Sequence, residues 1–224
     1  MSHAAACRKA RPIPALLALL AGAGAGAQEP VRTVSEPIPD AVWAAMQGKS
    51  WHADRPCPGR GELVLLTVPY LDFDGKARTG RLIVASAEGD RIARAFDAIF
   101  ESGTFRIARM ELVDSYGGDD DASMAANNTS AFNCRYVGNS NKLSEHAFGT
   151  AIDINPVQNP YVTKAGTYPA EGEAFDEAHE RKGDVTGIIL AGDAVTKAFR
   201  DAGWSWGGNW KTKKDYQHFS LTGN

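Results

Sequence analysis

Two histidines and two aspartates are the residues of this 224-residue chain best suited to do chemistry. His146 and Asp153 lie seven positions apart, and Asp215 and His218 lie three positions apart near the C-terminus. A catalytic zinc ion typically takes three ligands from histidines and carboxylates and leaves a fourth position for water. We therefore expect His146, Asp153 and His218 to bind one Zn²⁺, with Asp215 held nearby as general base. The chemistry that this set predicts is hydrolysis of an amide bond.

Asp153 is the most informative of the four, because it interrupts an apolar run, Ala-Ile-Asp-Ile-Asn. A carboxylate in such a strand is costly to bury unless it is paired or bound to a metal. His146 taken alone has an alternative role as a structural or surface histidine. Gly149 would let the chain turn between the histidine loop and the aspartate strand.

These residues carry a family resemblance. The pattern Ser-x-His-x-x-Gly-x-Ala-x-Asp at 144–153, followed downstream by an acidic residue, two others and a histidine, resembles the zinc D-Ala-D-Ala carboxypeptidase and L-alanyl-D-glutamate endopeptidase family. These are peptidoglycan peptidases related in fold to lysostaphin and hedgehog domains. Four further segments resemble one bacterial branch of the family: 70–75 (YLDFDG), 119–135 (DDDASMAANNTSAFNCR), 154–161 and 203–210 (GWSWGGNW). The resemblance extends over residues 62–221.

The resemblance implies roles for individual residues. It assigns the zinc ligands to His146, Asp153 and His218 and the general base to Asp215, although much of the family has glutamate at that position. It also implies that Arg135 polarises the scissile carbonyl, with a surface ion pair as the alternative. Substrate contacts are expected from Ser144 and Trp210, for which the alternatives are a loop serine that caps the next segment and a core tryptophan.

The function expected from this resemblance is a zinc metallopeptidase that acts on peptidoglycan stem peptides with one catalytic zinc ion. Spacing leaves open whether it is a carboxypeptidase or an endopeptidase. The alternative is a catalytically silent, zinc-containing domain that binds cell-wall peptides, but such a domain would not need Asp215. A formal net charge of −3 gives no basic face for nucleic acid. We expect a monomer.

The N-terminus predicts export from a bacterial cell, to the periplasm or the exterior. Residues 1–27 combine a basic start, a short apolar run and small residues before Gln28, as in a secretory signal peptide. No later run is long and apolar enough to cross a membrane. Cleavage would leave Cys57 and Cys134, for which an exported protein favours one disulfide, with two free thiols as the alternative.

The remaining pattern predicts an α+β fold in which a small central antiparallel sheet carries the zinc site and helices flank it. A Pro-rich arm with a short helix at 41–47 spans residues 28–61, and the peptidase domain spans 62–224. Residues three apart on a strand face opposite ways, so Asp215 must lie at a bend before His218. The acidic run Asp119–Asp121 could bind a cation, or it could cap a short helix from Ala122. The predicted strands are 62–70, 81–86, 105–113, 151–155 and 216–221, and the predicted helices are 91–100 and 192–200.

Overall fold

A long β-hairpin forms the N-terminal part of the fold in the computed structural model, which describes residues 1, 31–138 and 140–223. β1 (Val34–Pro37) pairs with β2 (Leu63–Leu71), and β2 pairs with β3 (Ala77–Ala85), all antiparallel. The strand predicted at 62–70 is therefore present and shifted by one residue, and the strand predicted at 81–86 is present and starts four residues earlier than expected. The signal-peptide prediction for residues 1–27 lies outside the described residues except for Met1.

One helix covers the hairpin, and a second helix packs on the first and joins it to the rest of the core. α2 (Gly89–Ser102) buries the four residues that its helical spacing predicts, Ile92, Ala95, Phe96 and Ile99. α4 (Ala194–Asp201) is capped by Asp193, whose carboxylate accepts from the Thr196 N–H at 2.8 Å, and the helix buries Val195 and Phe199. The Phe199 ring stacks on Phe219 at 4.3 Å between centroids, so this helix packs directly behind the strand that starts at His218.

A second sheet holds the candidate site. β6 (Ala151–Asp153) and β9 (Ser205–Trp206) flank β11 (His218–Ser220), and both pairings are antiparallel. Two of these strands fall within the runs predicted at 151–155 and 216–221. A third antiparallel sheet, absent from the sequence expectations, has the order β10 (Lys214–Asp215), β7 (Tyr161–Thr163), β8 (Gly166–Tyr168).

The strand predicted at 105–113 is wrong in extent. Only β4 (Arg109–Met110) forms there, in a short parallel pairing with β5 (Asn128–Thr129). Side-chain amides replace the missing partner strand, because Asn155 accepts from the Ala108 N–H at 2.9 Å and Asn128 accepts from the Glu111 N–H at 2.8 Å. The described residues form a mixture of helices and small antiparallel sheets, which is compatible with the predicted α+β class. Three small antiparallel sheets are present where a single central one was expected. In the described part of the chain no helix combines the length and apolarity that a bilayer crossing requires.

The N-terminal arm packs against the hairpin. It contributes β1 and α1 (Asp40–Met46), and it buries Ile38 and Met46 in a small apolar cluster with Cys134. Cys57 and Cys134 form a disulfide with their Cα atoms 6.0 Å apart. This bond ties the arm to the segment that leads to Arg135.

Removal of the disulfide should destabilise the protein. The bond joins cysteines 77 positions apart, and in the chain-entropy model closing such a loop contributes about 4 kcal/mol. We expect the double variant Cys57→Ser/Cys134→Ser to lose about 2–4 kcal/mol of unfolding free energy in urea titrations. Oxidised and reduced wild type provide the matched comparison, and equal midpoints for variant and oxidised wild type would contradict the prediction.

Candidate active site

A cross-strand pair brings the distant halves of the site together. His218 on β11 lies directly opposite Asp153 on β6, and residues in that relation share one face of a sheet. The Asp153 carboxylate spans two imidazoles, with Oδ1 at 3.0 Å from His218 Nδ1 and Oδ2 at 3.1 Å from His146 Nε2. All three side chains are buried.

A short 3₁₀ helix, Glu145–Phe148, places His146 beside β6. Ser144 caps this helix, since its hydroxyl accepts from the His146 N–H at 3.3 Å, as the alternative role for this serine anticipated. The helix ends at Gly149 with φ of +68°, and a Cβ there would lie 2.5 Å from the backbone nitrogen of Ala85. Glycine is therefore required at this turn by both backbone conformation and space.

The His146 imidazole is oriented as a metal ligand would be. His146 Nδ1 lies 2.6 Å from the Ala131 carbonyl oxygen. A carbonyl can only accept, so Nδ1 carries the proton, and in the neutral ring the lone pair of Nε2 faces the Asp153 carboxylate. Two facing electron-rich groups fit a cation between them. One ligand atom from each of His146, Asp153 and His218 lies within 4.8 Å of the others, so the three residues form a possible metal site, and two imidazoles with one carboxylate suit zinc.

Burial and neighbouring charges shift the pKa values in this cluster. Burial alone would raise the pKa of Asp153, but the charges and hydrogen bonds of His146 and His218 outweigh it and lower the value. Burial would also lower the pKa of His218, but its hydrogen bond to Asp153 and the nearby carboxylates raise it. These opposite shifts favour an ionised pair in the metal-free protein.

Asp215 lies at the edge of this cluster on a different strand. β10 pairs with β7, which sets Asp215 opposite Tyr161, and a bend at Tyr216 and Gln217 precedes β11. The structure therefore contains the expected bend between Asp215 and His218. Burial raises the pKa of Asp215 to about 7, against the opposing charge of His218. Its Oδ1 is buried without a hydrogen-bond partner in the described structure.

The cluster opens into a cavity of about 400 Å³. Its lining includes residues of α3 (Asp120–Ala125) and of the β7–β8 hairpin, together with Arg135, Trp210 and Lys213. Trp210 lies 5.5 Å from the His218 ring, and its indole N–H donates to the Gly223 carbonyl at 3.0 Å. Trp210 is thus a half-buried cavity wall rather than a core residue.

Arg135 lines the same cavity and pairs with α3. Its Nη2 lies 2.6 Å from Asp120 Oδ2, and its Nε is buried with no partner among the described residues. The ion pair considered as an alternative exists, but at the cavity rather than on an outer surface. Asp119 caps α3 by accepting from the Ala122 N–H at 3.1 Å, as the capping alternative for the acidic run describes.

Two cavity residues escaped the sequence predictions. Glu145 precedes the first histidine, and its Oε2 lies 4.0 Å from His218 Nε2, with neither atom hydrogen-bonded in the described structure. Gln217 precedes the last histidine, and its Oε1 is also buried and unpaired. Their positions next to the metal-ligand candidates were the only signal in the sequence.

Comparison with known proteins agrees with the motifs. Residues 138–221 match a family model described as D-alanyl-D-alanine carboxypeptidase. The matched segment contains His146, Asp153, Asp215 and His218, and the match supports the family resemblance seen in the sequence. Searches of curated proteins and of solved structures gave no match.

Proposed function

We propose that this chain, whose residues 138–221 match the D-alanyl-D-alanine carboxypeptidase family, is a zinc-dependent peptidase that hydrolyses an amide bond in peptidoglycan stem peptides. The family match supports a peptidase acting on peptidoglycan, and the triad of His146, Asp153 and His218 supports zinc as the metal. We further propose an exported monomer with a signal peptide at 1–27, an arm at 28–61 and a peptidase domain at 62–224 that shares the fold of this family and of hedgehog domains.

One observation carries the proposal: the unsatisfied polar atoms of the structure gather around the triad. Six buried side-chain nitrogen or oxygen atoms lack a partner in the described residues, and five belong to cavity-lining residues: Arg135, Glu145, Asp215, Gln217 and His218. Buried polar groups are normally hydrogen-bonded, because each unpaired one costs about 1–3 kcal/mol. A ligand or metal that pairs with these atoms explains why they remain unpaired in the protein alone.

The side chains have distinct roles in the proposed hydrolysis. Zinc held by the triad would supply Lewis acidity and lower the pKa of a water molecule to about 7. Asp215 accepts the proton of the attacking water and then delivers it to the departing amine, the two roles of a positioned general base and acid. Arg135 donates from its unpaired Nε to the oxygen of the scissile carbonyl as negative charge develops there. Trp210 and the β7–β8 hairpin limit access of bulk water.

The test is incubation of the zinc-loaded protein without residues 1–27 with defined stem peptides, followed by mass spectrometry. One peptide ends in D-Ala-D-Ala, and the other contains an internal L-Ala-D-Glu bond. Release of a single D-Ala identifies a carboxypeptidase, and internal cleavage identifies an endopeptidase. Binding of either peptide without cleavage would instead support the silent binding domain, and neither binding nor cleavage would overturn the proposal.

Glu145 should strengthen zinc binding through His218. Its Oε2 and His218 Nε2 are an unpaired acceptor and an unpaired imidazole nitrogen 4.0 Å apart, so a small approach would pair both. Outer carboxylates of this kind orient ligating histidines, and their loss costs about 10- to 100-fold in metal affinity. We expect Glu145→Gln to weaken zinc binding in chelator competition by about 10-fold. Glu173→Gln is the control outside the cavity, and equal zinc affinity for Glu145→Gln and wild type would exclude the contact.

A further inference from the structure

We infer that Gln217 accepts a hydrogen bond from the backbone N–H of the substrate residue on the N-terminal side of the cleaved bond. This rests on the proposed function, because it takes the ligand to be a peptide. It adds a specificity-determining contact that depends on the substrate backbone rather than on a side chain.

The surroundings of Gln217 are unusual for a buried glutamine. The residue is 1% exposed, and among the described residues its side-chain nitrogen has one hydrogen-bond partner, the Met124 sulfur at 3.7 Å. A thioether is a weak acceptor, and Oε1 has no partner in the described part of the chain. The backbone is fixed independently, since the Gln217 carbonyl accepts from the Ile154 N–H at 3.0 Å. The amide is therefore held in place by its backbone while its oxygen remains free for a ligand.

A neighbouring contact indicates which ligand fits. Asp120 and Met124 lie one turn apart on α3, and residues with that spacing share a helix face. Asp120 holds Arg135, and Met124 contacts Gln217. An unpaired donor on Arg135 and an unpaired acceptor on Gln217 are thus presented by the same side of α3, on residues that both line the cavity.

An extended peptide offers the complementary pair. The N–H and C=O of one residue in an extended chain point to the same edge, as they do between paired strands. If the C=O of the cleaved bond takes the N–H of Arg135, the N–H of that same residue is directed toward Gln217. The site would then select for a secondary amide at this position, whatever the side chain.

The test combines a variant with a modified substrate. Gln217→Met keeps the length of the side chain and removes the acceptor, and methylation of the relevant peptide nitrogen removes the donor. For wild type we expect N-methylation to lower kcat/KM by about 10- to 100-fold. For Gln217→Met we expect a similar loss on the unmodified peptide and little further loss on the methylated one, because the two changes remove one interaction. Equal losses on methylation for both enzymes would overturn the inference, and Gln47→Met, an exposed glutamine outside the cavity, is the control.

Stability and binding keep this test separate from that of the proposed function. Gln217→Met should leave the Tm of the metal-free protein unchanged or raise it, because it removes an unsatisfied buried oxygen; a lower Tm would mark the glutamine as structural and overturn the inference. If wild type cleaves neither peptide, the proposed hydrolysis fails. The Gln217 contact is then tested by calorimetric binding of the unmodified and the N-methylated peptide to the zinc-loaded protein. Tighter binding of the unmodified peptide by wild type, with no such difference in Gln217→Met, supports the contact, and equal or absent binding refutes it.

Discussion

Replacement of Asp215 by Asn should abolish most turnover while leaving zinc in place. The side chain does not belong to the group of possible ligands, yet its carboxylate lies beside that group with an unpaired buried oxygen. Asparagine has nearly the same shape but cannot take a proton from water. General-base catalysis contributes about 10²–10⁴-fold, so we expect a loss of that order in kcat for cleavage of a stem peptide.

The decisive comparison is between kcat and metal content. Wild type and Asp215→Asn should contain the same amount of zinc per protein molecule, measured by elemental mass spectrometry. Their circular dichroism spectra should coincide. Asp215→Glu is the conservative partner, because much of the resembled family has glutamate at this position, and it should retain more activity than Asp215→Asn. Full activity in Asp215→Asn would rule out the base assignment and direct attention to Glu145, the other cavity carboxylate with an unpaired oxygen.

The same substitution should stabilise the metal-free protein at high pH. Burial raises the pKa of Asp215 to about 7, so the fold favours the protonated carboxyl. The contribution of this group to stability is therefore fully present below its unfolded value, about 4, and is lost as the pH rises through about 7. Metal-free Asp215→Asn should exceed metal-free wild type in Tm at pH 8 and approach it at pH 4. A variant less stable than wild type at pH 8 would show that the carboxylate is structurally paired.

The parts of the site predicted from sequence are those with local or motif signals. His146 and Asp153 lie seven positions apart, with a glycine turn between them and an apolar strand around the aspartate. α2 and α4 were predicted because their apolar residues recur with helical spacing over two or more turns. In each case the sequence near the residue carries the information.

The missed parts depend on distant contacts. β7 and β8 have three residues each and β10 has two, too few to show a period. The expected strand at 105–113 forms only at β4, because side chains from later parts of the chain bind its backbone. Glu145 and Gln217 were missed for a related reason, since an unpaired atom is a property of everything around it. The sequence therefore predicted the residues of the possible metal site better than the surfaces that would bind a substrate.

Substitution of Asp153 by Asn should abolish metal binding without preventing folding. In Asp153→Asn the amide can still accept from His218 Nδ1 and can donate to His146 Nε2, whose other nitrogen donates to the Ala131 carbonyl. The neutral side chain can thus satisfy both imidazoles without a cation, and we expect the metal-free variant to fold. A neutral amide is a poor zinc ligand. Loss of a residue that only hydrogen-bonds a metal ligand costs about 10- to 100-fold in metal affinity, and we expect the loss in Asp153→Asn to be larger. Peptidase activity should fall with the zinc affinity.

Chelator competition would measure the zinc affinity of Asp153→Asn, and circular dichroism would verify its fold. Asp193→Asn is a matched control, since that aspartate caps α4 outside the triad and asparagine caps helices about as well, so neither the fold nor zinc binding should change. Stoichiometric, tightly held zinc in Asp153→Asn would remove Asp153 from the ligand set. A variant without zinc that keeps full activity would remove zinc from the reaction. Loss of both zinc and activity in a folded Asp153→Asn, set beside an inactive Asp215→Asn that still holds zinc, would assign metal binding and proton transfer to two different carboxylates of one site.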